Sequence, residues 1–382
     1  MNSATQVRSS LRPGFLGKIR TGNKAVLEAV QSLGLCTVIV IGSILLGLAT
    51  PVFFTRINIE NLFYSSTIIA VIAIGQSFVI LVAGIDLSVG AVLALASVLC
   101  VGLPVFQGLP VWLSMVIALG TGACIGLING LNVTVVRIPA LIATLAMMSV
   151  ARGTAFLYSG GRNIAPVPSV FVNIQAARVF GIPLVILFTL ALGVLANFVL
   201  SSTPFGRSVY ATGGNAVAAR LSGIRTNRVI LASYVISGVT AAIGGLMITA
   251  RLEAGAATAG VGAELTVISA VVIGGVSLFG GEGKIGGVLL GVLLLGLVQN
   301  AINLLNVPPN YDYVVSGLVI AAAAALDVYR RRIVEAGLRR RSILGRKDET
   351  ATKGKPAEPD QKPDTAKAND MKGPEAAYDR PK

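Results

Sequence analysis

The sequence predicts an all-α polytopic membrane protein of about ten transmembrane helices, some of them broken, and three observations carry that prediction. Hydrophobic residues make up 54% of the 382 residues and charged ones only 13%, against about 25% charged in a soluble domain. The mean hydropathy is +0.79. Apolar runs of about 17–25 residues, the length that crosses about 30 Å of hydrocarbon, recur along the chain, and no lysine occurs between Lys24 and Lys284.

The runs fall at 33–54, 63–83, 87–103, 111–135, 140–158, 183–201, 229–250, 265–280, 285–305 and 313–329. The run at 265–280 is short and glycine-rich, so a broken or tilted helix is expected there. A basic arm over 1–31 precedes this membrane domain of 32–332. The 333–382 tail mixes both charge signs with Pro, Gly and Ala, and cannot bury enough apolar surface to offset chain entropy. It reads as a disordered tail. The N-terminal residues are mostly polar, with no small-residue cleavage site after the first apolar run, so a cleavable signal is not expected.

Orientation follows from the arginines and lysines. The N-terminal arm carries Arg8, Arg12, Lys18, Arg20 and Lys24, the C-terminal segment opens with Arg330, Arg331 and Arg332, and the 202–228 loop holds Arg207, Arg220, Arg225 and Arg228. An even number of spans puts all three on one side, and the positive-inside rule makes that side cytoplasmic. The formal net charge of +14 is accounted for by this asymmetry and not by nucleic-acid binding.

Several chemistries are excluded. With no histidine there is no imidazole base or ligand. Cys36, Cys100 and Cys124 lie in apolar runs without metal-ligand spacing and read as small buried hydrophobes. The stretch GEGKIG (281–286) fits a dinucleotide-loop pattern but lies against membrane sequence and not in a strand–turn–helix unit. It also fails as a phosphate loop, because Leu278 stands where the first glycine belongs and Ile285 follows the lysine. LSG at 221–223 resembles the start of an ATP-cassette signature but continues as Ile224-Arg225, so the match is refused. No cofactor or metal site is expected.

The polar groups inside the apolar runs carry the remaining information. Residues 63–103 form an apolar stretch too long for one crossing, so something must break it. Gly84 can take the left-handed conformation that ends one helix, and Asp86 can cap the next. An intramembrane carboxylate is also a candidate for the transport path, and both roles fit if the break lines a water-filled cavity. Gln76, Asn129, Asn132, Gln299, Asn300 and Asn303 either bond between helices or line a path for a neutral polyhydroxylated solute, since amides donate and accept without charge. Arg152 needs an anion or a carbonyl if it lies deep. The glycines of 120–123 and 286–291 favour close helix packing.

The segment 202–228 is the longest internal polar stretch. Gly213–Gly214 is expected to break it, Asn215 to cap a short helix through Ala216–Ser222, and Gly223 to end that helix. It serves either as a positive anchor of topology or as a docking element.

Three stretches, GQSFVILVAGIDLSVG (75–90), GRSVYATGGNAVAARLSGI (206–224) and ISAVVIGGVSLFGGEGKIGGVLLG (268–291), make this sequence resemble the permease subunits of ribose-type bacterial sugar ABC importers. The resemblance covers roughly residues 32–332. It implies a pore of two permease subunits, here a homodimer in lipid, with two separate ATPase subunits and a periplasmic sugar-binding protein as partners. It also implies that 215–223 is a cytoplasmic coupling helix contacting the ATPase, with Ala218, Ala219 and Gly223 matching its small-residue pattern and Asn215 and Arg220 as further residues of the helix. A glutamate common early in that helix is absent, since Ala216 and Val217 occupy those places. Competing readings are an ion-driven secondary transporter coupled through Asp86, and a permease for branched-chain amino acids. Labelling of cysteines placed at Ser169 and Ser208 should come from opposite sides of the membrane, and labelling of both from one side would reject the topology.

Overall fold

The computed structural model describes residues 33–308 and a few isolated positions up to 321. The N-terminal arm, most of the run at 313–329 and the C-terminal tail lie outside the described residues. Among the described residues, seven helices are long and apolar enough to cross a membrane. They are α2 (Arg56–Leu81), α3 (Val89–Gln107), α4 (Val111–Leu131, extended by a π-helical turn to Val136), α5 (Ala140–Ser159), α7 (Leu184–Ser202), α10 (Thr226–Leu252) and α12 (Ile285–Leu304). Two shorter apolar helices are α1 (Leu33–Ala49) and α11 (Ala263–Ile273). Three further short helices are α6 (Ser169–Ala176), α8 (Pro204–Gly214) and α9 (Ala216–Leu221). A minimal antiparallel pair, β1 (Arg178–Val179) with β2 (Ile182–Pro183), is the only sheet among the described residues.

The helices sort by burial. α2 and α3 are buried along most of their length, with α10 packed against both and against α4. α4, α5 and α7 keep one apolar face outward, where Val116, Leu157 and Val194 are exposed. That arrangement suits hydrocarbon, in which a lipid-facing leucine costs nothing. Cys124 and Cys36 lie on such exposed faces, and only Cys100 is buried, so the expectation of three buried thiols holds for one.

Close packing depends on glycine. On α4, Gly122, Gly126 and Gly130 recur every four residues and meet the α10 backbone at Gly238, Tyr234 and Leu231. A methyl at Gly126 would overlap the Tyr234 carbonyl and lie 2.9 Å from the Val235 Cα. Gly287 and Gly291 of α12 approach α11 in the same way, whereas Gly120 and Gly286 face open space.

Polar contacts mark two ends of the bundle. At the first residues of α2, Glu60 bonds both Arg56 (2.7 Å) and Arg178 of β1 (2.9 Å), and Arg251 lies 5.5 Å from the Tyr64 ring. At its last residues α2 meets α8 and the 280–281 turn. The segments holding Ser169 and Ser208 are thus associated with opposite ends of a helix about 39 Å long.

Two expectations need correction. Gly213–Gly214 does not interrupt the 202–228 segment, because α8 runs through both and stops at Asn215, whose φ is −162°. The stretch 253–262, which the apolar runs leave as a connection between 229–250 and 265–280, does not stay outside the bundle either. Gly255 pairs with Ile164, the Ala256 amide donates to Ser97 Oγ at 3.3 Å, and Gly260 reaches Gly90, so the chain runs back along α3 into the bundle before α11 begins.

Gly126→Val should force α4 and α10 apart and lower the stability of the purified chain by about 2 kcal/mol or more, as overpacking does. A thermal melt in detergent checks this, with Gly120→Val, at an open position, expected to remain within about 0.5 kcal/mol. Equal losses in both would remove the packing argument.

Candidate functional site in two helix breaks

Between α2 and α3 the chain turns sharply and restarts as a helix inside the bundle. Ala83, at φ +62°, makes the left-handed turn expected of Gly84. Gly84 is needed for space instead: a methyl there would sit 2.8 Å from the Tyr234 hydroxyl and 3.1 Å from the Val79 side chain. The N-cap of α3 is Ser88 and not Asp86. Asp86, two residues ahead, accepts the Ser88 amide at 2.9 Å and the Ser88 hydroxyl at 2.6 Å through Oδ1. Its Oδ2 accepts the Ser237 hydroxyl of α10 at 2.9 Å.

The network extends to α4 and α5. Asn129 Nδ2 donates to Ser88 Oγ at 2.9 Å, which leaves the serine proton for Asp86. Tyr234 and Thr144 donate to the Ile85 carbonyl at 3.2 and 3.3 Å. Asp86, Ser88, Asn129 and Ser237 are 1%, 1%, 0% and 0% exposed. A carboxylate this deep is tolerable because each charge-assisted bond is strong in low dielectric, and the head of α3 presents a positive dipole end. The buried Asn129 Oδ1 finds no donor among the described residues.

The second break faces the first. Arg152 of α5 donates through Nη1 to the Ala257 and Ala259 carbonyls at 2.8 and 2.7 Å, which supplies the carbonyl partners it requires and holds the descending stretch before α11. Glu264 lies in the first turn of α11, and a methyl at Gly90 would collide with its Oε2 and with the Gly260 carbonyl. The N-terminal turns of α3 and α11 therefore meet, each carrying one acid nearby.

Of the residues read from sequence as path or break, Gly84, Asp86 and Asn129 come together here. Gln76 is fully buried on α2. Asn300 does not join them: it exchanges a reciprocal amide pair with Asn58, at 3.1 and 2.7 Å, joining α12 to the other end of α2. Asn303 is exposed. Glu264, Ser237 and Tyr234 escape the sequence reading. The criterion that singles out Asp86, an acid in apolar surroundings, applies equally to Glu264 once 253–262 is placed inside the bundle.

In the 202–228 segment, Asn215 Oδ1 accepts the Ala218 amide at 3.0 Å and caps α9, and Gly223 has φ +85°. Val217 and Leu221 are 70% and 85% exposed, and Ala218 and Arg220 also face outward. Ala219 is buried at 5%, so the pair Ala218–Ala219 does not present one open surface. A shallow pocket beside α9 is lined by Arg220, Gly223, Arg225 and Arg228.

A bundle of broken helices around buried polar groups defines a polytopic transport protein. Residues 58–324 match the family model described as the permease component of branched-chain amino acid transport systems, and the chain belongs to that permease family. It is 39% identical over 289 residues to the ribose import permease protein of Haemophilus influenzae, covering 75% of this chain and 89% of that one. It is 37% identical over 310 residues to the L-arabinose ABC transporter permease protein of Azospirillum brasilense, covering 80% and 90%. To the D-allose transport system permease protein of Escherichia coli it is 38% identical over 280 residues, covering 73% and 86%. No solved structure matches this chain.

Asp86→Asn keeps an acceptor for the Ser88 amide and offers Ser237 a donor, so most folded protein should remain. Asp86→Leu leaves buried donors unpaired at about 1–3 kcal/mol each and should deplete the folded chain in membranes. Complete loss of transport by Asp86→Asn at normal abundance would instead put the negative charge on the transport path.

Proposed function

We propose that this chain is the transmembrane permease subunit of an ATP-binding-cassette importer that takes up a monosaccharide or similar polyol. It is a transport subunit and not an enzyme, with ATP hydrolysed on separate subunits. The observation that carries the reading is identity near two residues in five, over most of both chains, to permeases named for ribose, L-arabinose and D-allose. The family description speaks of branched-chain amino acids, which makes that cargo the alternative. The interior supports the sugar. Hydroxyls and amides surround the Asp86 break, and Asn129 Oδ1 can accept from a sugar hydroxyl when the break opens.

In this reading ten spans place both termini in the cytoplasm of a bacterium, with the 202–228 segment on the same side and the protein in the inner membrane. Two copies form the pore, lipid surrounds them, and a periplasmic binding protein delivers and selects the sugar. α9 is the coupling helix docking on the ATPase. Its exposed Val217 and Leu221 supply an apolar contact, and Arg220, Arg225 and Arg228 line the pocket beside it. A basic rim of this kind favours an acidic partner surface, which suits a coupling helix without the glutamate that the sugar-permease resemblance would place there.

Because Ala219 faces inward, the variants that test docking lie at exposed positions. Leu221→Glu presses an unpaired carboxylate into the interface and should reduce co-purifying ATPase about tenfold or more. Gly223→Val, at φ +85°, resists the backbone that ends α9 and should act in the same direction. Normal ATPase association in both variants would show that energy enters elsewhere. Uptake of labelled leucine with none of ribose, arabinose or allose would overturn the sugar reading.

A further inference from the structure

We infer that α8 is the rigid link through which the coupling helix moves the Asp86 break, with Gly213 and Tyr210 as the residues that make the connection. The inference rests on the reading of α9 as the docking helix, and extends it to where the motion goes next.

α9 is joined to α8 by the single residue Asn215, so a displacement of one is passed directly to the other. α8 packs against α7 and α10, Phe205 stacks on Phe78 of α2, and two further contacts tie it to the base of the break. At the first, Gly213 is pressed against the last turn of α2. A methyl on Gly213 would overlap the Leu81 carbonyl and lie 2.6 Å from the Gly281 nitrogen. Gly281 itself donates its amide to that same Leu81 carbonyl at 2.9 Å, and its own Cβ would fall 2.8 Å from Gly214. Three backbone segments thus meet without intervening side chains. At the second point, the Tyr210 hydroxyl donates to the Gly283 carbonyl at 2.8 Å.

What these points hold is the base of the break. Leu81 closes α2, Ala83 makes the left-handed turn, and within five residues of Leu81 the chain reaches Asp86 and its bonds to Ser88 and Ser237. The 280–283 turn lies between α11 and α12, so the same contact also reaches the second broken helix. Backbone-to-backbone contact transmits displacement better than flexible side chains, because packed interfaces switch between discrete arrangements and do not deform continuously. The glycines are there because only hydrogen fits. Gly214, the next residue, has open space where its Cβ would be.

The test uses the full transporter, with the permease co-expressed with its ATPase subunit, reconstituted in lipid vesicles and supplied with its sugar-loaded periplasmic binding protein. Gly213→Ala should keep its ATPase and still hydrolyse ATP, yet move about tenfold less sugar per ATP. Tyr210→Phe, which removes only one hydroxyl, should lower the same ratio less. Gly214→Ala should behave as the unaltered protein. A normal ratio in both Gly213→Ala and Tyr210→Phe overturns the inference. So does loss of ATPase association in Gly213→Ala, which would make α8 a docking element. If Gly213→Ala does not insert, the ratio in Tyr210→Phe decides alone. Failure of the docking reading would be seen separately, as normal ATPase association in Leu221→Glu.

Discussion

Asp86 accepts hydrogen bonds from the head of α3 and from Ser237 of α10 at once, and this fixes where a helix can restart inside the bundle. A helix beginning within a membrane exposes amides with no water to satisfy them. Here the carboxylate takes the Ser88 amide and hydroxyl, Ser88 in turn accepts from Asn129, and Ile85 accepts from Tyr234 and Thr144. Helices α3, α4, α5 and α10 are therefore brought to one point by polar groups that cannot be left unpaired. The glycine seam between α4 and α10 and the Arg152 grip on the 257–259 carbonyls are arranged around it.

Much of the fold was legible because a membrane imposes length and composition on each crossing. The runs at 111–135, 140–158, 183–201 and 285–305 correspond within a few residues to α4, α5, α7 and α12. α2 begins at Arg56, seven residues before its apolar run, because Thr55 caps it and Glu60 pairs with Arg56 and Arg178, contacts that hydropathy does not register. The stretch 253–262 was misplaced for a related reason. Its alanines and glycines are small enough to be packed as non-helical chain, and Arg152 satisfies the carbonyls that a helix would otherwise have paired. Nothing local in LEAGAATAGVGA announces a partner a hundred residues away.

The site was legible in its type but not in its membership. Asp86 stands out as an acid in an apolar run, and its role as a break follows from chain length alone. Which amides join it depends on packing: Asn129 does, whereas Asn300 pairs with Asn58 at the other end of α2. The left-handed turn falls on Ala83 and not on the adjacent glycine, because Gly84 is reserved for the approach of Tyr234. On α9 the helix and its Asn215 cap were legible, but a six-residue helix is too short for its buried face to be read from periodicity, so nothing in the pattern separated buried Ala219 from exposed Ala218.

Asp86 joins α3 to α10 through Ser237, and a double-mutant cycle measures that link directly. Asp86→Ala, Ser237→Ala and the double variant would be melted in the same detergent or lipid disc. We expect a coupling energy of about 1 kcal/mol, near the upper part of the range for hydrogen bonds between membrane helices. Losses that add within about 0.3 kcal/mol would contradict the link and leave the break without the anchor described here.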